Sequence, residues 1–243
     1  ASEFLEQSPD LRPGGDNGGW LQPFSIHLQG QPAEAHNIIA CLPGSDPELS
    51  KQVIVVGAHY DHVGYGLSHN SLGGSGEIHN GADDNASGSS TLLDLATSPA
   101  NAHWKPRDTV LFQWYSGEEL GLLGSKHWVE HPTVPLDQVV FMINMDMVGR
   151  MVAHTLVVGG TGTSPGLPDL ARGFCDDVGL KMIDDPPGTA PSDNTSFYNH
   201  GIPAVSLFTG LHEDYHKASD DAFRINAEGA AAVGRLARKL LAS

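Results

Sequence analysis

Two runs, VIVVG at 53–57 and VVFMIN at 139–144, are almost unbroken in apolar residues. A strand with one face in water alternates apolar and polar side chains. Strands without that alternation must be covered on both faces, as in a parallel sheet clad by helices. Further β-rich runs, FSIHL, HNIIACL, TVLFQWYS, TLVVGG and AVSLFTG, alternate with helical patterns over 87–97, 119–130, 166–178 and 226–242. That order defines an α/β protein, and 243 residues suit one large domain. Residues 1–20, rich in Gly, Pro and acids, are expected to form a loosely held arm, with a single domain over 21–243. The last helix, 226–242, has Ala and Leu on one side and reads as terminal packing.

Charge narrows the function. A formal net charge of −16 repels phosphate backbones and anionic membranes, so nucleic acid is not an expected partner. No apolar stretch approaches the roughly 20 residues of a membrane span. The chain opens on Ala1, without an initiator Met or a signal h-region, as a processed or trimmed protein would, and an extracytoplasmic (periplasmic or secreted) location is expected. Cys41 and Cys175 could form at most one disulfide, and buried free thiols are an equal alternative. The 13 histidines match Lys and Arg together in number, which favours metal or acid–base chemistry.

Position tells more than number, because polar residues past the carboxyl ends of strands form the sites of open α/β sheets. In GAHYDH (57–62), His59 and Asp61 project to one side of an extended backbone, where a carboxylate can orient a metal-binding imidazole. Taken alone, this spacing is in most proteins a polar strand terminus with the histidine merely hydrogen-bonded. In NGADDNASG (80–88), Asp83, Asp84 and Asn85 precede a helical pattern; one of them suffices as a cap, and a carboxylate here could bridge two cations. Ser116-Gly117-Glu118-Glu119 fits a capping box, which accounts for Glu119 but leaves Glu118 over. Neighbouring residues on a helix point about 100° apart, so one acid can hold a cation while the other faces what the cation binds. Asp146 ends an apolar strand among Met145, Met147 and Val148, where a lone carboxylate is costly. TGLHEDYHKASDD (209–221) offers His212, Tyr215 and His216. A long Gly-rich loop, GYGLSHNSLGGSGEIHNGADD, separates the first two motifs. His62, His69, His79, His200 and His212 either line the cleft or sit solvated in polar loops, and Ser192 and Asp193 of PSDNTSF are explained by an ordinary turn.

Each motif has an ordinary structural explanation, but five strand ends or strand–helix junctions supplying His, Asp, Glu, Asp and His make a joint accident implausible. Imidazole and carboxylate suit Zn²⁺. Three carboxylates and one hydroxide would neutralise two such ions, leaving Glu118 as the surplus acid.

In order, GAHYDH, GADDNASG, EELGLLGS, NMDMVG, SDNTSF and YHKASD resemble the co-catalytic di-zinc aminopeptidases of metallopeptidase clan H, over roughly residues 36–243. The resemblance implies an α/β three-layer sandwich with a central mixed, mostly parallel sheet flanked by helices. Residues 21–243 would then be a zinc peptidase catalytic domain holding two Zn²⁺ per chain. His59 and Asp146 would bind one zinc, Glu119 and His216 the other, and Asp84 would bridge them. Glu118 would be the general acid/base acting with a shared hydroxide nucleophile, Asp61 the carboxylate behind His59, and Tyr215 the residue steadying the oxyanion. A cis peptide at Asp84–Asn85 is also implied, and Ser192 and Asp193 would fall where the family shapes its substrate pocket, a reading that an ordinary turn matches equally well. Substrates would be peptides with a free amino terminus, cut at the first bond. The same family contains single-zinc glutaminyl cyclases, carboxypeptidase-like hydrolases and non-catalytic receptor ectodomains; the full set of ligands and base argues most strongly against the last. The oligomeric state is open, a monomer included.

Overall fold

The computed structural model describes residues 5, 8, 11–14, 19–28, 30–67, 70–97 and 104–242. Among the described residues, nine strands make one sheet: β1 Arg12–Pro13, β2 Trp20–Leu28, β3 Gln31–Leu42, β4 Val53–His59, β5 Thr109–Tyr115, β6 Val139–Met145, β7 Thr155–Gly159, β8 Lys181–Asp185 and β9 Ala204–Phe208. Their order is β1-β2-β3-β5-β4-β6-β9-β7-β8. The centre, β5-β4-β6-β9, is parallel, as is β7 with β8; β1 to β3 and the β3·β5 and β7·β9 pairings are antiparallel. The helices are α1 Gly88–Thr97, α2 Leu123–Glu130, α3 Leu167–Asp177, α4 Asn194–Tyr198 and α5 Ala227–Leu240.

The apolar run of β4 shows why the sheet is covered twice. Ile54, Val56 and Ala58 pack with Leu92 and Leu95 of α1, Ala171 of α3 and Leu236 of α5. Val53 and Val55, pointing the other way, pack with Trp128 of α2 and Phe197 of α4. Every residue of β4 is buried, so alternation had no solvent face to record. The glycine in that run answers to a neighbour: a Cβ on Gly57 would lie 2.5 Å from the ring of Tyr115, which is fully buried beside it on β5.

One element differs from its sequence pattern. The helix expected over 119–130 begins only at Leu123, because Gly117, Gly121 and Leu122 all have positive φ and wind residues 117–122 into turns. Within the expected arm, Leu5 is buried in the Val53/Val55 core and Arg12–Pro13 pair with β2, while residues 1–4, 6–7, 9–10 and 15–18 lie outside the described residues. Cys41 and Cys175 are free thiols, both pushed up to about 11 by burial. Among the described residues, no helix is long and apolar enough to cross a membrane.

Candidate metal centre

The parallel strands deliver their carboxyl ends to one edge of the sheet. His59 closes β4, Glu118 and Glu119 follow β5, Asp146 follows β6, and His216 lies in the loop after β9. Asp84 arrives from the tight segment Ala82–Ser87 before α1, where the Asp84–Asn85 peptide is cis, as the resemblance implies. Asn85 caps α1, its Oδ1 accepting from Gly88 N at 3.0 Å. Asp83 and Asp84 both donate their N–H groups to Asp220 Oδ2, at 2.8 and 3.1 Å. Asp220 in turn faces Arg150, 3.5 Å away, which also binds Asp214 at 2.8 Å. Asp83 itself points away from the centre and accepts from Gly149 N, Ser87 Oγ and His212 Nε2.

The predicted ligands converge. His59 Nε2 lies 3.3 Å from Asp84 Oδ1 and 3.4 Å from Asp146 Oδ1. His216 Nε2 lies 2.9 Å from Asp84 Oδ2 and 3.3 Å from Glu119 Oε2. Zinc with bonds of about 2.0–2.1 Å in tetrahedral geometry separates its ligands by about 3.3 Å, so three of these four spacings already match. Asp146 Oδ1 is buried without a hydrogen-bond partner, an acceptor waiting for a cation. The other ring nitrogen of each histidine is held by a carbonyl: His59 Nδ1 lies 3.1 Å from Asp61 O, and His216 Nδ1 2.6 Å from Asn70 O. A proton on Nδ1 leaves Nε2 free as a metal donor. The backbone is strained at this edge, with Met147 and His216 at φ 53 despite their side chains.

The two adjacent glutamates divide. Glu118 lines a cavity of about 220 Å³ with His59, Asp84, Asp146, Tyr215 and His216, and its nearest imidazole is His59 Nε2 at 3.9 Å. Glu119 turns the other way, toward His216, His62 and Asn70. The capping-box reading of Ser116–Glu119 does not hold: the N–H groups of Glu118 and Glu119 are taken by the Asp61 carboxylate, at 3.1 and 3.4 Å. The same carboxylate is 3.8 Å from His59 Nδ1, so Asp61 ties the β4 end to the turn carrying both glutamates. Tyr215 stacks on His216, ring centroids 3.8 Å apart.

Several residues without an assigned role also enter the site. His62 Nδ1 lies 2.8 Å from Glu119 Oε1 and 3.9 Å from Asp84 Oδ2. Asn70 donates to Glu119 Oε2 at 2.7 Å, and Ser192 to Asp146 Oδ2 at 2.6 Å. The His62 signal was present in HYDH; Asn70 and Ser192 sit in a loop and a turn whose partners are remote in sequence. His79 and His200 bind within their own segments, to Ser71 and Glu77 and to Ser196, and His69 lies outside the described residues.

Protonation follows from crowding. Burial opposes charge on His59, but Asp146, Asp84 and Glu118 hold it well above the ordinary imidazole range. Burial likewise opposes charge on His216, and Asp84, the Asn70 carbonyl and Glu119 raise it. Asp84 is held low: its burial is outweighed by hydrogen bonds from His216 and His59. Burial pushes Glu118 up to about 10, against His59 and with Asp193, Asp146 and Glu119. A metal bound through His59 and His216 would have to displace these protons. Raised imidazole values mean protons held below those values and lost above them, so zinc held by these nitrogens would bind more tightly as pH rises. Zinc titrations from about pH 6 to about pH 8 should show affinity rising about tenfold per pH unit for each displaced proton. Affinity independent of pH would mean that His59 and His216 are not displaced from protons by the metal.

These features define an α/β protein with a cluster of histidines and carboxylates, of a kind that could hold a metal ion, at the carboxyl edge of its sheet. The chain belongs to peptidase family M28, whose sequence model matches residues 37–241. It is 30% identical over 191 residues to leupeptin-inactivating enzyme 1 of Streptomyces exfoliatus, covering 78% of this chain and 39% of that protein. Leucine aminopeptidase 1 of Trichophyton rubrum is 38% identical over 187 residues, covering 71% of this chain and 47% of the relative. A zinc aminopeptidase from Bacillus subtilis superposes with TM-score 0.70 at 26% identity, over 87% of this chain and 50% of its own. The fold extends to a Zn-dependent exopeptidase from Parabacteroides distasonis, with TM-score 0.74 at 19% identity, over 100% of this chain and 87% of that one. The chain spans about half the length, or less, of the curated relatives it matches.

Proposed function

We propose that this chain is the catalytic unit of a di-zinc aminopeptidase that removes the amino-terminal residue of peptides. The observation that carries the reading is Asp84, whose two oxygens each face a different histidine, Oδ1 toward His59 and Oδ2 toward His216. A single carboxylate between two imidazole–carboxylate groups suits a bridging ligand. His59 and Asp146 would hold one ion, and Glu119 and His216 the other, with His62 beside the second. When bound, zinc lowers the pKa of water and polarises the scissile carbonyl.

The chain's own groups supply the rest. Glu118, facing the cavity, takes the proton from the attacking water and returns it to the leaving amine. Burial, followed by the surrounding carboxylates, holds the Tyr215 phenol above its ordinary range, so it keeps its proton as a donor to the carbonyl oxygen. Asp61 fixes the two glutamates, and Ser192 fixes Asp146 through the hydrogen bonds described above. The concentration of acids beside the cavity suits a substrate's free α-ammonium group, which favours cleavage from the amino end.

Metal analysis combined with aminoacyl-p-nitroanilide assays tests the reading. Two zincs per chain are expected, with turnover abolished by a chelator and restored by zinc. One zinc per chain would favour the cyclase-like alternative, and activity indifferent to chelation would overturn the metal mechanism.

A further inference from the structure

The cavity beside Glu118 is also lined by Asp185, a carboxylate with no mechanistic role. On β8, Asp184 binds Thr161 and lies 3.6 Å from Arg172 of α3, so it points to the α3 face. Alternation sends the next residue, Asp185, to the opposite face. Gly159 of β7 is paired with Asp185 on one side and with Ser206 of β9 on the other, and directly paired residues share a face. A Cβ on Gly159 would lie 2.6 Å from Ser206 Oγ and 3.9 Å from Asp185 Oδ2. A Cβ there would collide with the Ser206 hydroxyl, so the glycine lets Ser206 sit close against β7 on the face that carries Asp185. Two residues along the same face, Val157 and Phe208 are also paired, and with Leu211 they give the cavity apolar walls.

The metal end of this cavity is Asp146, tied through Ser192 to Asn144, which pairs with Ser206. From β6 through β9 and β7 to β8 are three strand spacings of about 4.8 Å each. Only a long side chain carries a polar head toward Asp185 from a residue held at the metals, and it must present an apolar stem to Val157, Phe208 and Leu211. Lys and Arg are built that way. No Lys or Arg lines the cavity, and Asp185 forms no ion pair among the described residues.

We propose that Asp185, with Ser206, is a specificity-determining residue that gives this chain a preference for peptides beginning with Lys or Arg. This rests on the aminopeptidase reading above. Asp185 is exposed, so the gain is that of a rim charge, several-fold and screened by salt.

The test compares kcat/KM for lysyl- and leucyl-p-nitroanilide in the zinc-loaded chain, in Asp185→Asn and in Asp185→Lys. The Lys/Leu ratio should fall about fivefold in Asp185→Asn and further in Asp185→Lys, and the wild-type ratio should shrink at high salt. A ratio unchanged in both variants overturns the proposal. Calorimetric binding of lysinamide and leucinamide to the same zinc-loaded proteins separates the two readings. If no anilide is cleaved but lysinamide loses affinity selectively in the variants, the peptidase reading falls and Asp185 stands. If binding of the two amides responds alike, Asp185 has no part in selection.

Discussion

Glu118→Gln should retain its zinc and lose turnover by about 10³- to 10⁴-fold, equivalent to about 4 to 5.5 kcal/mol in the barrier. The argument begins with where the side chain is not. The ligand pairs close to between 2.9 and 3.4 Å, whereas Glu118 stands 3.9 Å from the nearest imidazole and opens onto the cavity. Gln keeps the volume and one acceptor, so the four contacts that His59 makes with Asp84 and Asp146, and His216 with Asp84 and Glu119, survive. What it removes is the ability to take and return a proton. Without metal, burial and neighbouring acids push Glu118 up to about 10, which would leave it protonated at neutral pH. Cations beside it would favour the charged form and bring that value down, so Glu118 could serve as a base only with metal bound. Zinc content and kcat measured together decide the matter. An active Gln variant would remove Glu118 from proton transfer, and loss of zinc would make it a ligand.

Two of the residues legible in the sequence share one property: each stands at the end of a strand whose apolar run announces its direction. His59 and Asp146 follow VIVVGA and VVFMINM, and both lie at the carboxyl edge because β4 and β6 run parallel. The junction at Glu118–Glu119 was misleading because the S-x-x-E pattern is satisfied equally by a capped helix and by a turn. Three positive-φ residues between Gly117 and Leu122 decide for the turn, and conformation at Leu122 is nothing its residue type foretells. Asp61 then supplies the carboxylate that the cap would have needed. Asn70 and Asp185 could not be read at all, and Ser192 not in the part it plays: Ser192 and Asn70 act on acids 46 and 49 residues away, and Asp185 enters only through the pairing of Gly159 with it and with Ser206.

Asp84→Asn should lower zinc from two ions per chain to at most one, with the fold intact. An amide has one carbonyl oxygen where the carboxylate has two, so only one of the facing histidines can still share a ligand with it. The backbone need not move, because the N–H groups of Asp83 and Asp84 remain held by Asp220. Nor does the buried site gain an unpaired charge; it loses one that the two imidazoles had held well below the usual carboxylate range. The effect can be read without any substrate. A ligand present at about 1,000 times its Kd stabilises the folded chain by about 4 kcal/mol, and about 2–4 °C of Tm per kcal/mol is typical at this size. Each site filled at such an excess should therefore raise the Tm by about 8–16 °C, so the wild type, with two, should gain at least twice what Asp84→Asn gains with at most one. If the variant still binds two ions and its Tm rises as the wild type's does, Asp84 is not shared between them, and the two histidine sites must be treated as independent.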